Sequence, residues 1–229
     1  MRIRQFIRPD VVLPLAGGIW LAVFGLRQVV AALLIVPSNA TLERIQNLEP
    51  VTPVALVGLA DRQSNSLAVM DSAAGWSNLG LALALQAESA SAADRADLLT
   101  RTVEALRTSL TLAPANPYVW TRLAVVRHST GARDAEIMRY VRLSWMTGPN
   151  EERLRLPRIG LTLGHWSAVT EADRQSLLED IRHAWDLRHE DILPLATSPF
   201  ATNVVRAALI PDLANLRTFE KALSAKRGQ

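Results

Sequence analysis

Beyond Pro37 the apolar residues recur every three or four positions, and no stretch alternates apolar and polar residues with the period of a strand. The pattern predicts helices throughout. Leu99, Val103, Leu106 and Leu110 fall on one face of a helix expected from about Ala92 to Ala113. Trp120, Leu123, Ala124 and Arg127 share a face of the next, which Gly131 should end. Ile137, Tyr140, Val141, Ser144 and Trp145 line a third, stopped by Gly148-Pro149, and Leu178, Ile181 and Trp185 mark a fourth. Between the last two lies "EERLRLPRIGLTLGHW", where Pro157 predicts a kink.

Helix starts carry their own chemistry. Thr52-Pro53, Asn116-Pro117 and Ser198-Pro199 each place a side-chain acceptor before a proline. The acceptor takes an orphan backbone N–H, and proline at the first helical position sacrifices none. Further starts are expected at Ser91-Ala-Ala-Asp94, Asn150-Glu-Glu and Thr170-Glu-Ala-Asp173, whose acidic residues complement the helix dipole.

The N-terminal pattern is different. Val11 to Val36 is apolar apart from Arg27 and Gln28, and its 26 residues exceed the roughly 20 that cross a hydrocarbon core as helix. A cleaved signal peptide is the rival reading, since Ser38-Asn39-Ala40 offers small residues at a peptidase spacing. The long segment headed by Arg27 before that site argues for an uncleaved anchor. Arg2, Arg4 and Arg8 precede the span while Arg44 alone follows closely, so the N-terminus is expected in the cytoplasm and the bulk of the chain in the periplasm of a bacterial inner-membrane protein. Arg27 either snorkels or pairs with a carboxylate or carbonyl of a membrane partner. The small residues Gly18, Ala22 and Gly25 form a strip on which another helix could pack.

Composition changes the picture in two ways. The 229 residues are 49% hydrophobic and 21% charged, enough to bury a sizeable core, and the absence of cysteine excludes disulfides, thiol nucleophiles and cysteine-based zinc sites. The net charge of +3 is unevenly spread, with 10 basic against 5 acidic residues between 101 and 160. Arg122, Arg127, Arg139, Arg142, Arg153, Arg155 and Arg158 fall in consecutive expected helices there. They form either a solvated face or a surface for an anionic partner such as a lipid headgroup, an acidic glycan or an acidic protein tail. Nucleic acid is not expected in a periplasmic setting.

No catalytic pattern emerges. None of His128, His165, His183 and His189 has the spacing of a zinc protease, and there is no nucleophile elbow, phosphate-cradling loop or dinucleotide fingerprint. Glu179 and His183 are a helical i, i+4 pair. The expectation is no catalytic residue, no cofactor and no metal ligand.

Two segments resemble each other. "GWSNLGLALALQ" and "VWTRLAVVRHSTG" both carry Trp, then Leu three on, then a small residue: Trp76, Leu79, Gly80 and Trp120, Leu123, Ala124. "SLTLAPANPYVW" closes one helix with Leu110, Leu112 and Pro114 and opens the next with Asn-Pro. These features resemble the joint between tetratricopeptide repeats, and Pro114 and Pro149 stand 35 apart, against a repeat of about 34. Glu136 stands where a small residue is usual in the second helix, and Leu143 or Ser144 where alanine is usual. The resemblance implies an all-α chain, with one N-terminal transmembrane helix followed by a stack of antiparallel helix pairs. The expected divisions are a cytoplasmic basic flank at 1–10, a transmembrane helix at 11–36, a helical connector at 37–72, repeats at 73–149 and capping hairpins at 150–229. It further implies a concave groove lined by Tyr118, Thr121, Val125 and His128. The whole pattern is also similar to small membrane-anchored repeat proteins encoded with bacterial exopolysaccharide genes.

The resulting expectation is a non-catalytic, membrane-anchored periplasmic scaffold that binds membrane or periplasmic proteins in envelope polysaccharide assembly or export. One alternative is an accessory structural subunit of an integral membrane complex, held through its transmembrane helix. A hydrolase or transferase is a more remote one. The C-terminal run Val204, Val205, Ala208, Leu209, Leu213, Leu216 and Phe219 fits capping helices and a homo-oligomer interface equally.

Overall fold

The computed structural model describes residues 9–227, with side chains described from 13 to 225. Arg2, Arg4 and Arg8 of the expected basic flank lie outside the described residues. All regular structure among the described residues is helical: α1 (Pro9–Ile35), α2 (Asn39–Gln46), α3 (Pro53–Val69), α4 (Ala73–Ser89), α5 (Ala92–Leu112), α6 (Pro117–Ser129), α7 (Asp134–Thr147), α8 (Glu152–Gly164), α9 (Glu171–Arg188), α10 (Pro199–Leu209) and α11 (Leu213–Arg227). The chain divides into two compact units, residues 1–105 and 106–229, and the division falls within α5.

The capping residues act as their sequence implies. Thr52 Oγ1 accepts the N–H of Ala55 at 3.3 Å, Asn116 Oδ1 accepts those of Tyr118 and Val119 at 3.1 and 3.3 Å, and Ser198 Oγ accepts that of Ala201 at 3.1 Å. Ser91 accepts from the N–H of Asp94, and Thr170 with Asp173 forms a reciprocal capping box. Asn150 differs. The cap of α8 falls on Glu151 and has no side-chain hydrogen bond, because the Glu151 carboxylate is turned to Tyr118. Pro157 lies inside α8, which continues past it.

In the first unit the second half of α1 lies antiparallel to α3. Ser66 Oγ donates to the Ala31 carbonyl at 3.0 Å, and the Arg27 guanidinium donates to the Val69 carbonyl at 3.0 Å from Nε and 2.5 Å from Nη2. α3 then turns back into α4, and Gln86 Nε2 reaches the Leu56 carbonyl at 3.1 Å. Leu59, Ala60, Leu79, Ala82 and Leu83 form the core between them, joined by Ala105 of α5. Small residues at Ala60, Gly80 and Ala82 permit that close approach.

The N-terminal part of α1 has no such cover. The segment Leu13–Gln46 contains an 18-residue window of mean hydropathy 2.2, of which 6% is buried. Leu13, Ile19, Trp20, Leu21 and Leu26 are all more than half exposed. This helix is long and apolar enough to cross a membrane.

In the second unit α6 and α7 form an antiparallel hairpin. Arg127 meets Glu136 near the turn, and Thr121 meets Ser144 nearer the open end. The turn needs Gly131, whose φ of +71° falls in the left-handed region that favours glycine. α8 and α9 follow as a second antiparallel pair, closed by α10 and α11. Ile159, Leu177, Ile181, Trp185, Val205, Leu209 and Phe219 make one contiguous core, in which Trp185 and Phe219 meet edge to face at 5.6 Å. Each such fully buried side chain contributes about 1.5–3 kcal/mol of transfer free energy. The open end of the α6–α7 hairpin closes where Gly148 meets Pro117, with Glu151 of the connection to α8 beside them. A Cβ at Gly148 would lie 2.6 Å from Cγ of Pro117 and 2.9 Å from Cγ of Glu151, both on backbone-fixed atoms or a hydrogen-bonded side chain.

Gly148→Ala is therefore expected to cost about 1–3 kcal/mol through overpacking. Urea unfolding of the detergent-solubilised chain, followed by tryptophan fluorescence, should show a lower midpoint at unchanged slope. An unchanged midpoint would show that the α7–α8 joint is loose.

Candidate functional site

The joint between α5 and α6 shows why two aromatic residues stand two positions apart. Trp120 stacks on Tyr140 of α7 at 5.9 Å and 18°, and its indole N–H donates to the Pro114 carbonyl at 2.8 Å, so the closing proline and the opening tryptophan hold each other. Tyr118 points the other way and donates to Glu151 Oε2 at 2.5 Å. That carboxylate, together with burial, raises the Tyr118 pKa, so the phenol stays a donor at neutral pH.

The expected groove is only partly formed. Thr121 is 4% exposed, because its hydroxyl is bonded to the Pro117 carbonyl at 3.1 Å and to Ser144 Oγ at 2.7 Å. It is a core residue rather than a groove residue. Tyr118 is half-buried, while Val125 and His128 are exposed.

The arginines do not gather on one surface. Arg158 is completely buried. Its Nε and Nη2 donate to Ser144 Oγ at 2.9 and 2.8 Å, and Nη2 also reaches the carbonyls of Ser144 and Gly148, both at 2.8 Å. Arg155 is buried with its Nε 3.7 Å from Asp180 Oδ1, and Trp145 Nε1 donates to the other oxygen of Asp180 at 2.7 Å. Burial pushes the Asp180 pKa up, against the pull of Trp145 and of these two guanidiniums. Arg127 forks onto Glu136 and Arg142 onto Asp173, with 2.7–3.2 Å contacts. Arg122 is half-buried. Of the seven, Arg139 and Arg153 are exposed, and Arg139 lies over the Tyr140 ring at 5.1 Å. The expectation of a broad basic surface fails because helix pairing turns most of these side chains inward, where carboxylates and carbonyls neutralise them.

Arg27 also finds its partner within the chain, at the C-terminal carbonyl of α3, where a cation complements the helix dipole. Gly18 and Gly25 have open space around them and Ala22 is exposed, so that strip is uncovered.

One cluster had no signal in the sequence. His165, buried at the end of α8, places Nδ1 2.8 Å from Asp134 Oδ1 and Nε2 2.9 Å from His128 Nδ1. Ser167 donates to the other oxygen of Asp134. These bonds, first that of Ser167 and then that of His165, hold the Asp134 carboxyl below its ordinary pKa. Ser167 is bonded to the carboxylate rather than to an imidazole, so the arrangement is not a nucleophile–base pair. The four residues come from α6, α7 and the turn after α8, separated by up to 39 positions.

The first unit has a cleft of about 490 Å³ lined by Ile45, Val51, Leu56 and Leu85 with the exposed Glu49 and Glu88. Leu48, which also lines it, is 91% exposed at a φ of 59°, a strained conformation for a bulky residue.

No family model matches this chain, and no curated protein matches it.

The Arg142–Asp173 contact sets a pH dependence. Burial alone would raise the Asp173 pKa, but hydrogen bonds from Arg142 and Thr170 outweigh it and hold the carboxyl below its usual range. A carboxylate depressed in the folded state stabilises above its unfolded pKa of about 4, and that contribution is lost as pH falls through the folded value. Asp173→Asn should cost about 2–3 kcal/mol at pH 7, and the cost should shrink progressively as pH falls below about 4. Thermal unfolding across that range checks it, and a cost equal at both ends would remove the charge from the explanation.

Proposed function

We propose that this chain is a non-catalytic, membrane-anchored interaction scaffold whose helical body lies outside the cytoplasm. The observation that carries the reading is the exposure of α1: Leu13, Ile19, Trp20, Leu26, Val29 and Leu33 are all more than half exposed, while Arg27 and Ala31 are bonded to α3. The part of α1 before Arg27, Pro9–Leu26, is 18 residues long, or about 27 Å as helix, against a hydrocarbon core of about 30 Å. Arg27 then sits at the water boundary, where its charge avoids the roughly 3 kcal/mol cost of the bilayer centre. The orientation rests on the arginines before the span and none but Arg44 close after it.

The scaffold reading is supported by the paired helices and by the exposed side chains on them. Val125 and His128 face outward on α6, and the cleft near Leu48 offers an apolar surface with two carboxylates. The tetratricopeptide-like joint favours binding of protein segments. The likeness to repeat proteins of exopolysaccharide gene clusters makes polysaccharide assembly or export the preferred setting. An accessory subunit held through Arg27 is less favoured, since that guanidinium already has an acceptor inside the chain.

A C-terminal alkaline phosphatase fusion is expected to be active and the corresponding green fluorescent protein fusion dark; the opposite pattern reverses the orientation. Deleting residues 1–36 should move the chain from carbonate-washed membranes to the soluble fraction. Purification from gently solubilised membranes should co-isolate glycan polymerase or export proteins, and Val125→Glu should lower their recovery about tenfold, equivalent to 1.4 kcal/mol. Recovery of no partner, or recovery untouched by Val125→Glu, counts against a scaffold acting through α6.

A further inference from the structure

Two of the four histidines meet although 37 positions separate them. Their nitrogens are 2.9 Å apart, the ring centroids 4.9 Å apart and the planes 79° apart. A centroid separation so much longer than the nitrogen contact means that the rings face each other nitrogen to nitrogen rather than stacking. Behind one of them stands a carboxylate. Asp134 is an acceptor, so the proton on the contact at 2.8 Å belongs to Nδ1 of His165, and the neutral ring keeps its lone pair on Nε2, the atom turned to His128. Ser167 fixes Asp134 from its other oxygen.

Histidines that ligate metal ions commonly donate their other ring N–H to a carboxylate, as His165 does to Asp134. We propose that His128 and His165 form a binding site for a divalent transition-metal ion, with Asp134 as the outer carboxylate that positions His165. In the metal-free protein His128 donates its Nδ1 proton to His165. On binding, that proton moves to Nε2 of the same exposed ring, and both facing lone pairs ligate the ion without loss of a proton from the protein.

Metal–nitrogen bonds of about 2.0–2.1 Å at a tetrahedral angle place the two nitrogens about 3.3 Å apart, so they must separate by about 0.4 Å and the rings must turn their lone pairs from each other to the ion. His165 is buried and held, whereas His128 lies on the exposed last turn of α6 and can yield. Among the described residues no three His, Cys, Asp or Glu groups converge on one point. The remaining coordination positions therefore go to water, or to a donor on a bound partner. Two imidazoles and water select copper, nickel or zinc over magnesium and calcium, which require oxygen ligands. The ion would add a bond between the end of α6 and the turn after α8, where the two rings already meet.

This inference does not depend on the membrane or scaffold reading. The test uses the full chain in detergent micelles with its purification tag removed. Isothermal titration with copper(II), nickel(II), zinc(II) and magnesium chlorides is expected to show one ion per chain for the first three, tightest for copper, and no heat for magnesium. His128→Ala should weaken binding at least tenfold. Asp134→Asn should weaken it about 10–100-fold, and His183→Ala should leave it unchanged. Because His128 is exposed, its replacement tests the site without disturbing the core, and circular dichroism checks that the fold is retained. Zinc should also raise the unfolding temperature of the wild type and not that of His128→Ala. Absence of stoichiometric binding, equal binding of magnesium, or affinity unchanged in His128→Ala overturns the proposal.

Discussion

A guanidinium shut away from water must be surrounded by acceptors, and the second unit is arranged around that requirement at Arg158. The acceptors come from the end of α7. A helix leaves its last carbonyls without partners, and Arg158 takes two of them, at Ser144 and Gly148. The Ser144 hydroxyl accepts from the same guanidinium and donates to the first turn of α6 at the Pro117 carbonyl. One cation thereby fixes three helices against each other. Removing Ser144 would leave the buried guanidinium short of an acceptor, which gives this serine its place in the core.

The same logic operates at the other end of the chain. Arg27 satisfies the terminal carbonyl of α3, and Ser66 bonds the backbone of α1 at Ala31. These two contacts tie the second half of α1 to the helical body, while Leu13, Ile19, Trp20 and Leu26 before them stay more than half exposed. In both units, arginines that might have faced a partner instead close helix ends. Other basic residues, Arg101, Arg107, Arg139 and Arg153 among them, stay exposed.

Much of the architecture was legible in the sequence because its determinants are local. Thr52, Asn116 and Ser198 cap helices through N–H groups two or three residues away. The stripe Ile137, Tyr140, Val141, Ser144 and Trp145 is buried throughout because side chains three and four apart share a helical face. Trp120 and Pro114 likewise join over six positions. The cap expected at Asn150 failed for a non-local reason: Glu151 was claimed by Tyr118, 33 positions away.

What the sequence alone determined is the set of helices, their ends and the apolar face each must bury, since propensity, capping and periodicity act within a few residues. What only the tertiary structure decided is the fate of the polar side chains on those helices. A helical face can be packed against another helix or left in water, and that choice depends on neighbours distant in the chain. It turned Thr121, Arg155 and Arg158 inward, gave Arg27 a partner of its own chain, and brought His128, Asp134 and His165 together.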